Sequence, residues 1–319
     1  MPPEAVAASV VAAVAAAAAA CEDGGEGAGA ADGGAARQRQ QNGGGGGGAG
    51  AGGGAQHQAG LPSVLARWLP RIEANPIALA EAECAEQLQI WAVAALCRSL
   101  SLDNVLALVN AALLEKQIAV FCPHIGTLCA CVLSLVPLLR PFVWQSLLLP
   151  VTPASMRGFL EAPVPFVLGL QYKTPEVSVR CASLVRVNVY KDKVKHRGAI
   201  PQMPSARRLA TELAPHHAAL RGAAGLAADR PVHLVSAEEA AAARRFLHVM
   251  LEHLVSLTGD LRLHTIVNVG MSKRTGLLLK DAMVESFPPR DRPFMRAFAE
   301  TQMFAVYSDA VIREYCDEV

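Results

Sequence analysis

The stretch RPFVWQSLLLPVTPASMRGFLEAPVPFVLG, Arg140 to Gly169, decides how this chain is read. It is mostly apolar, yet Pro141, Pro150, Pro153, Pro163 and Pro165 interrupt it. Proline lacks a backbone N–H and is tolerated at the ends of strands and in the first turn of helices. The five prolines therefore mark boundaries. Between them the spacing predicts a strand over 142–151, with Phe142 and Trp144 on one face. A short helix from Pro153 to Ala162 and a strand over 165–170 follow.

The flanking sequence extends this pattern. Val105, Leu108, Val109, Ala112 and Leu113 recur at three and four residues, the signature of a helix with one buried face. Ser101 is the expected N-cap of that helix. IAVFC, 118–122, is bounded by Pro123 and reads as a strand buried on both faces. IGTLCACVLSLVPLLR, 125–140, reads as a helix, which makes a strand–helix–strand crossover with 142–151. SLVRVNVY and KVKHR, joined through Lys191-Asp192, alternate as a hairpin.

From Ser205 onward the pattern is helical, in segments 205–220, 237–257, 275–287 and 292–312. Pro215 is a candidate break in the first. Phe294, Phe298, Met303 and Phe304 are expected on one helix that docks onto the α/β layer. The fold class is thus α/β, a mixed sheet layered with helices and followed by an all-helical subdomain. Residues 1–60 are dominated by Ala, Gly and Gln, with too little apolar volume to offset chain entropy. The organisation expected is a disordered tail over 1–60, a lead-in loop over 61–83, a central α/β region over 84–204 and a helical region over 205–319.

Composition narrows the function. The formal net charge of +1 gives no global field pointing to nucleic acid. The eight cysteines include no CxxC pair and no Cys/His cluster at zinc spacing. Scattered thiols suit a reducing cytosol. No GxSxG, HExxH, GxGxxG or GxxxxGK[ST] occurs, and GMSKRTG, 270–276, reads as a turn before a helix. Cys122 and His124 at a strand end raise the idea of a nucleophile pair, set against a buried thiol beside a loop imidazole. His216 and His217 are adjacent, so on a helix they diverge and do not chelate one metal. Ile118–Leu139 matches a membrane span in length, but its internal prolines and the crossover reading favour a buried βα unit.

At this point the residues resemble a family. Pro141, Phe142, Trp144 and Gln145, then Leu149, Pro150 and Pro153, then Leu160, Ala162, Pro163, Pro165, Phe166 and Gly169 follow the motif order of DENN domains. Arg292–Asp309 resembles the end of that family's C-terminal helical part. The resemblance runs over roughly 84–313. It implies a guanine-nucleotide exchange factor that promotes GDP release from a Rab-family small GTPase in vesicle traffic. The alternative is a DENN-fold binding module without exchange activity. DENN proteins pair this lobe with an N-terminal longin-like lobe. Residues 1–60 are not expected to form one, so that lobe is either missing or supplied by a second chain.

No catalytic residue, cofactor or metal is expected. Loops at strand ends are the expected GTPase contacts: Pro123 and His124; Pro150, Pro153, Ser155, Met156 and Arg157; Glu161 and Pro163. Each proline serves equally well as a turn former. The basic hairpin at 186–197 reads as a charged sheet edge first and as a lipid contact second. The localisation implied is cytoplasmic, peripheral on vesicle or endomembrane surfaces.

Overall fold

The computed structural model describes residues 76–172, 184–222, 231–259, 261–269 and 274–318. The tail expected over 1–60 lies outside them. Helix α1, Pro76–Ser99, starts inside the expected lead-in loop. Its sequence after Pro76 is rich in Ala, Leu, Glu and Gln, good helix formers.

Helix α2, Leu102–Leu113, buries the periodic face read from the sequence. Ser101 occupies its N-cap position but does not cap it. The backbone N–H and hydroxyl of Ser101 both donate to Asp192, at 2.8 and 3.1 Å. Asn104 also donates to Asp192, and Arg221 pairs with it at 3.2 Å. Burial works to raise the Asp192 carboxyl, but these donors outweigh it and hold the group below its usual range.

Strands β1 (Ile118–Phe121), β2 (Leu147–Leu149), β3 (Phe166–Leu170), β4 (Val185–Asn188) and β5 (Lys193–Lys195) form one sheet in the order β2-β3-β1-β4-β5. The first four are parallel and β5 pairs antiparallel with β4, so the sheet is mixed as expected. Helices α3, Ile125–Leu133, and α4, Leu135–Leu138, carry the chain from β1 to β2. A 3-10 helix, Ala154–Glu161, carries it from β2 back to β3. Right-handed crossovers running in opposite directions put their connections on opposite faces. The packing follows that rule: Leu128 and Leu135 join Ile118, Val120 and Val167 on one side, while Leu160 joins Phe121, Phe166 and Leu168 on the other.

Five α-helices are described in the second half. Helix α5, Ala206–Arg221, continues through Pro215, because Leu209, Leu213, His217 and Leu220 keep one buried face along it. Helix α6, Ala237–Ser256, begins with a capping box in which Ser236 and Glu239 satisfy each other's backbone N–H. Helices α7, Lys280–Ser286, α8, Arg292–Ala299, and α9, Gln302–Glu318, complete the set.

Several expectations are corrected here. The 275–287 segment is not all helix: Arg274–Leu278 is strand β7, paired antiparallel with β6, Thr265–Val269. The helical part therefore carries one hairpin. The 292–312 segment is two helices, parted at Thr301. There the carboxylate of Glu115, itself at a left-handed φ of 48°, accepts from the backbone N–H groups of Gln302 and Met303. This side chain caps α9 from 187 positions away, which no local pattern reveals. The strand expected over 142–151 shrinks to Leu147–Leu149, and the helix over 125–140 divides at Ser134.

Trp144 consequently lies in the turn before β2, half-buried, with its indole N–H donating to the Leu147 carbonyl. Phe142 is the buried ring of this motif. It stands edge-to-face on Phe298 at 4.9 Å and on Tyr307 at 5.0 Å. Phe298 in turn touches Phe294 and Phe304. The four residues expected on the docking face, Phe294, Phe298, Met303 and Phe304, are all fully buried. One apolar cluster runs from Val93 on α1 through the sheet to Phe304, so the change of pattern near 204–205 falls inside a shared core. Residues 84–319 accordingly form one compact unit.

Phe142→Ala should lower unfolding free energy by about 3–5 kcal/mol, as loss of a buried aromatic does. Trp144→Ala should cost less, since its ring is only half-buried. Urea titration of the two variants checks the order, and a larger loss for Trp144 would refute this assignment of the motif.

Candidate functional site

The parallel strands deliver four chain exits to one edge of the sheet. In spatial order these are Pro150 after β2, Gln171 after β3, Cys122 after β1 and Val189 after β4. Strands lie about 4.8 Å apart, so the first and third exits are separated by about 10 Å. Backbone bonds lash the exits together. Cys122 donates to Leu170, Val189 to Phe121 and Thr152 to Gly169, at 3.2, 3.0 and 2.8 Å. The Gln171 side chain donates to the Pro123 carbonyl at 3.4 Å.

Gly169 makes the β2 exit possible. A Cβ there would overlap the Pro150 carbonyl oxygen and crowd Leu128. Only the absence of a side chain lets the Pro150–Thr152 segment cross this close over β3.

The residues anticipated from the sequence divide between two edges. Pro123 and His124 are exposed at the exit edge. Pro150 is half-buried beside them, and Pro153, Ser155, Met156 and Arg157 are exposed as the 3-10 helix leaves it. Glu161 and Pro163 are exposed too, but at the far end of that helix, about 16 Å on at 2 Å per residue. They sit beside Gln117, whose amide donates to the carbonyls of Ala162 and Val164 just before β1 begins. All nine lie at strand ends, but Glu161 and Pro163 lie at the opposite ends from the other seven.

The exit edge also carries residues that the sequence did not single out. Ile125, Tyr172 and Tyr190 are large and exposed there, with Met156 among them. Tyr172 directly follows the β3 exit and Tyr190 the β4 exit, so each was findable as an aromatic one or two residues beyond a strand. Exposed apolar groups gathered along one rim, with Arg157 beside them, have the composition of a protein-docking surface.

The ionisable groups nearby do not make a nucleophile. Burial pushes the Cys122 thiol up, so it stays protonated at neutral pH, while His124 points into solvent. His217 is buried with Nε2 2.9 Å from the Leu100 carbonyl, and burial holds it below the usual histidine range. His216 is half-exposed on another side of α5. Among the described residues no group of three or more His, Cys, Asp or Glu is placed to hold a metal ion. No helix among them is long and apolar enough to cross a membrane. Ile118–Leu139, which matches a span in length, is instead divided among β1, α3 and α4.

Fold and rim together describe an α/β unit with exposed apolar side chains at one sheet edge. Residues 66–192 match the DENN (AEX-3) domain. Arg292–Asp309 lies beyond that match. Similar proteins include Elicitor of plant defense protein 1 of Verticillium dahliae, 34% identical over 114 residues, or 36% of this chain and 10% of that one. A DENN domain-containing protein of Schizosaccharomyces pombe is 32% identical over 124 residues, 38% of this chain and 12% of its own length. Human DENN domain-containing protein 1A is 30% identical over 78 residues, 24% of this chain and 8% of its own. The chain thus spans between 8% and 12% of the length of these three relatives.

Gly169→Ala should cost about 1–3 kcal/mol through overpacking and displace the Pro150–Thr152 segment. Thermal melting checks this. An unchanged midpoint would mean the β2 exit does not depend on the glycine.

Proposed function

We propose that this DENN module binds a Rab-family small GTPase through the exit edge of its sheet and promotes GDP release. The observation that carries the reading is the row of exposed apolar residues at adjacent strand exits: Met156 beside β2, Tyr172 after β3, Ile125 after β1 and Tyr190 after β4.

Exchange needs no acid, base or cofactor. A GTPase holds its nucleotide through Mg²⁺ and mobile switch segments. A partner that binds the nucleotide-free form more tightly than the loaded form lowers nucleotide affinity by that difference. A thousandfold drop requires only ~4 kcal/mol. A rim of apolar anchors, held by backbone bonds to a buried sheet, can supply this without reorganising. Pro123, His124, Pro150, Pro153 and Ser155 shape the rim, and Arg157 offers charge-assisted donors to an acidic switch segment. Glu161 and Pro163 at the opposite edge lie outside the principal contact. Such a module works in the cytoplasm, on vesicle or endomembrane surfaces, with a second chain completing the footprint where a longin-like lobe is required.

Release of fluorescent GDP from a panel of Rab proteins tests this directly. Acceleration by one member supports exchange activity, and saturable binding without acceleration supports a binding module instead. Arg157→Glu sits on an exposed turn, so the melting temperature should hold while affinity for the responsive Rab falls at least about tenfold. Unchanged affinity would remove Arg157 from the interface.

A further inference from the structure

Helices α5 and α6 pack along each other, and three histidines stand on them. His216 and His217 belong to α5 and His253 to α6. His217 is 6% exposed. Its Nε2 lies 2.9 Å from the Leu100 carbonyl just beyond α1. A carbonyl only accepts, so the neutral ring carries its proton on that nitrogen. The Nε2 of His253 is closed off from solvent and has no hydrogen-bond partner.

The charged groups around these rings are already paired. Facing His253, α5 presents Glu212 and Arg208, which bond to each other at 2.8 Å. Near His217 are Arg221 on the same helix and Asp192 on the β4–β5 turn, which pair at 3.2 Å. His216 has Arg245 of α6 beside it, and the neighbouring Arg244 is paired with Glu86 of α1 at 2.7 Å. Each of these carboxylates therefore has a cation of its own. An imidazolium needs acceptors for both of its N–H groups. Charging His253 puts an N–H into a closed site with no acceptor. Charging His217 adds a second proton in a buried site beside Arg221. A buried charge without its own counter-ion is strongly unfavourable. Burial accordingly holds both rings below the usual histidine range. It does the same for His216, and Arg245 adds to it.

We propose that the α5–α6 contact is an acid-sensitive clasp, which opens when mild acidification drives protons onto His217 and His253. Its opening reaches the sheet. Arg221 at the end of α5 is one of the ties on Asp192, which stands at a left-handed φ of 46° in the turn from β4 to β5. Loosening α5 withdraws that tie from the turn that also carries Tyr190. The clasp does not depend on the GTPase reading.

Linkage sets the direction. A ring held neutral in the folded chain takes up its proton more readily once unfolded. The stability it gives is fully present above the unfolded value of about 6.5 and is lost as pH falls below that toward the lowered folded value. Each such histidine raises the unfolding constant by up to about tenfold per pH unit in that window. Urea titration of the full chain at about pH 7.5 and about pH 5.5 tests this, since ordinary carboxylates stay largely ionised across the interval. The parent's unfolding constant should be at least about tenfold larger at the lower pH. The double variant His217→Gln/His253→Gln, whose amides do not take a charge, should lose most of that dependence. Should it fail to fold, His253→Gln alone should lose about half of it. Hydrogen exchange of the parent at the two pH values, corrected for the intrinsic rate, locates the effect: α5 and α6 should lose protection ahead of β1 and β3. Equal parent stability at both pH values would overturn the proposal, as would a dependence that the variants keep. Protection lost evenly across the whole unit would overturn the clasp in favour of global acid sensitivity.

Discussion

The contact of Phe142 with Phe298 and Tyr307 holds the two halves of this molecule in one core. Phe142 lies on the segment between α4 and β2, while Phe298 and Tyr307 belong to α8 and α9. Edge-to-face pairs add about 0.5–1.5 kcal/mol each beyond the area they bury. Because Phe298 also touches Phe294 and Phe304, a change at Phe142 is felt through both terminal helices. The same region holds two long-range polar ties. Glu115 caps α9 from the turn after α2, and Arg140, buried and depressed by that burial to about 10, bonds to Gln89 on α1. The C-terminal helices are thus part of the support for the sheet.

That support sets what the exit edge can do. Each parallel strand ends in a backbone bond to its neighbour's exit, so the rim inherits the rigidity of a sheet buried on both faces. Rigid presentation matters for a surface that acts by differential binding, since ordering a loose loop would subtract from the energy available to distort a partner.

Much of the fold was legible because its signals are local. The run IAVF before Pro123 and the run FVLG after Pro165 are short, apolar and fenced by proline, and both are strands buried on two faces. The alternation in VRVN and KVK marked the β4–β5 hairpin. What was not legible depends on distant partners. RTGLL forms a strand because Thr265–Val269 pairs with it and Gly276 fits against α9, whereas its leucines alone suit a helix. The break at Thr301 depends on Glu115. Phe142 and Trp144 were expected on one face of a strand, yet the chain turns before β2 and gives the interior to Phe142. For the site, the proline-bounded loops were readable. The division of Glu161 and Pro163 from the other residues was not, because it follows from the 3-10 helix crossing the whole sheet. Tyr172 and Tyr190 carried a readable signal, an aromatic just beyond a strand, that the motif residues overshadowed.

Hydrogen–deuterium exchange of the chain, with and without a nucleotide-free Rab that responds to it, tests the central claim most directly. Amides of 123–126, 152–156 and 188–191 should slow on binding, since they line the strand exits. Those of 161–165 at the opposite edge should not change. Slowing confined to the opposite edge or to the helices, with the exits unaffected, would contradict the account.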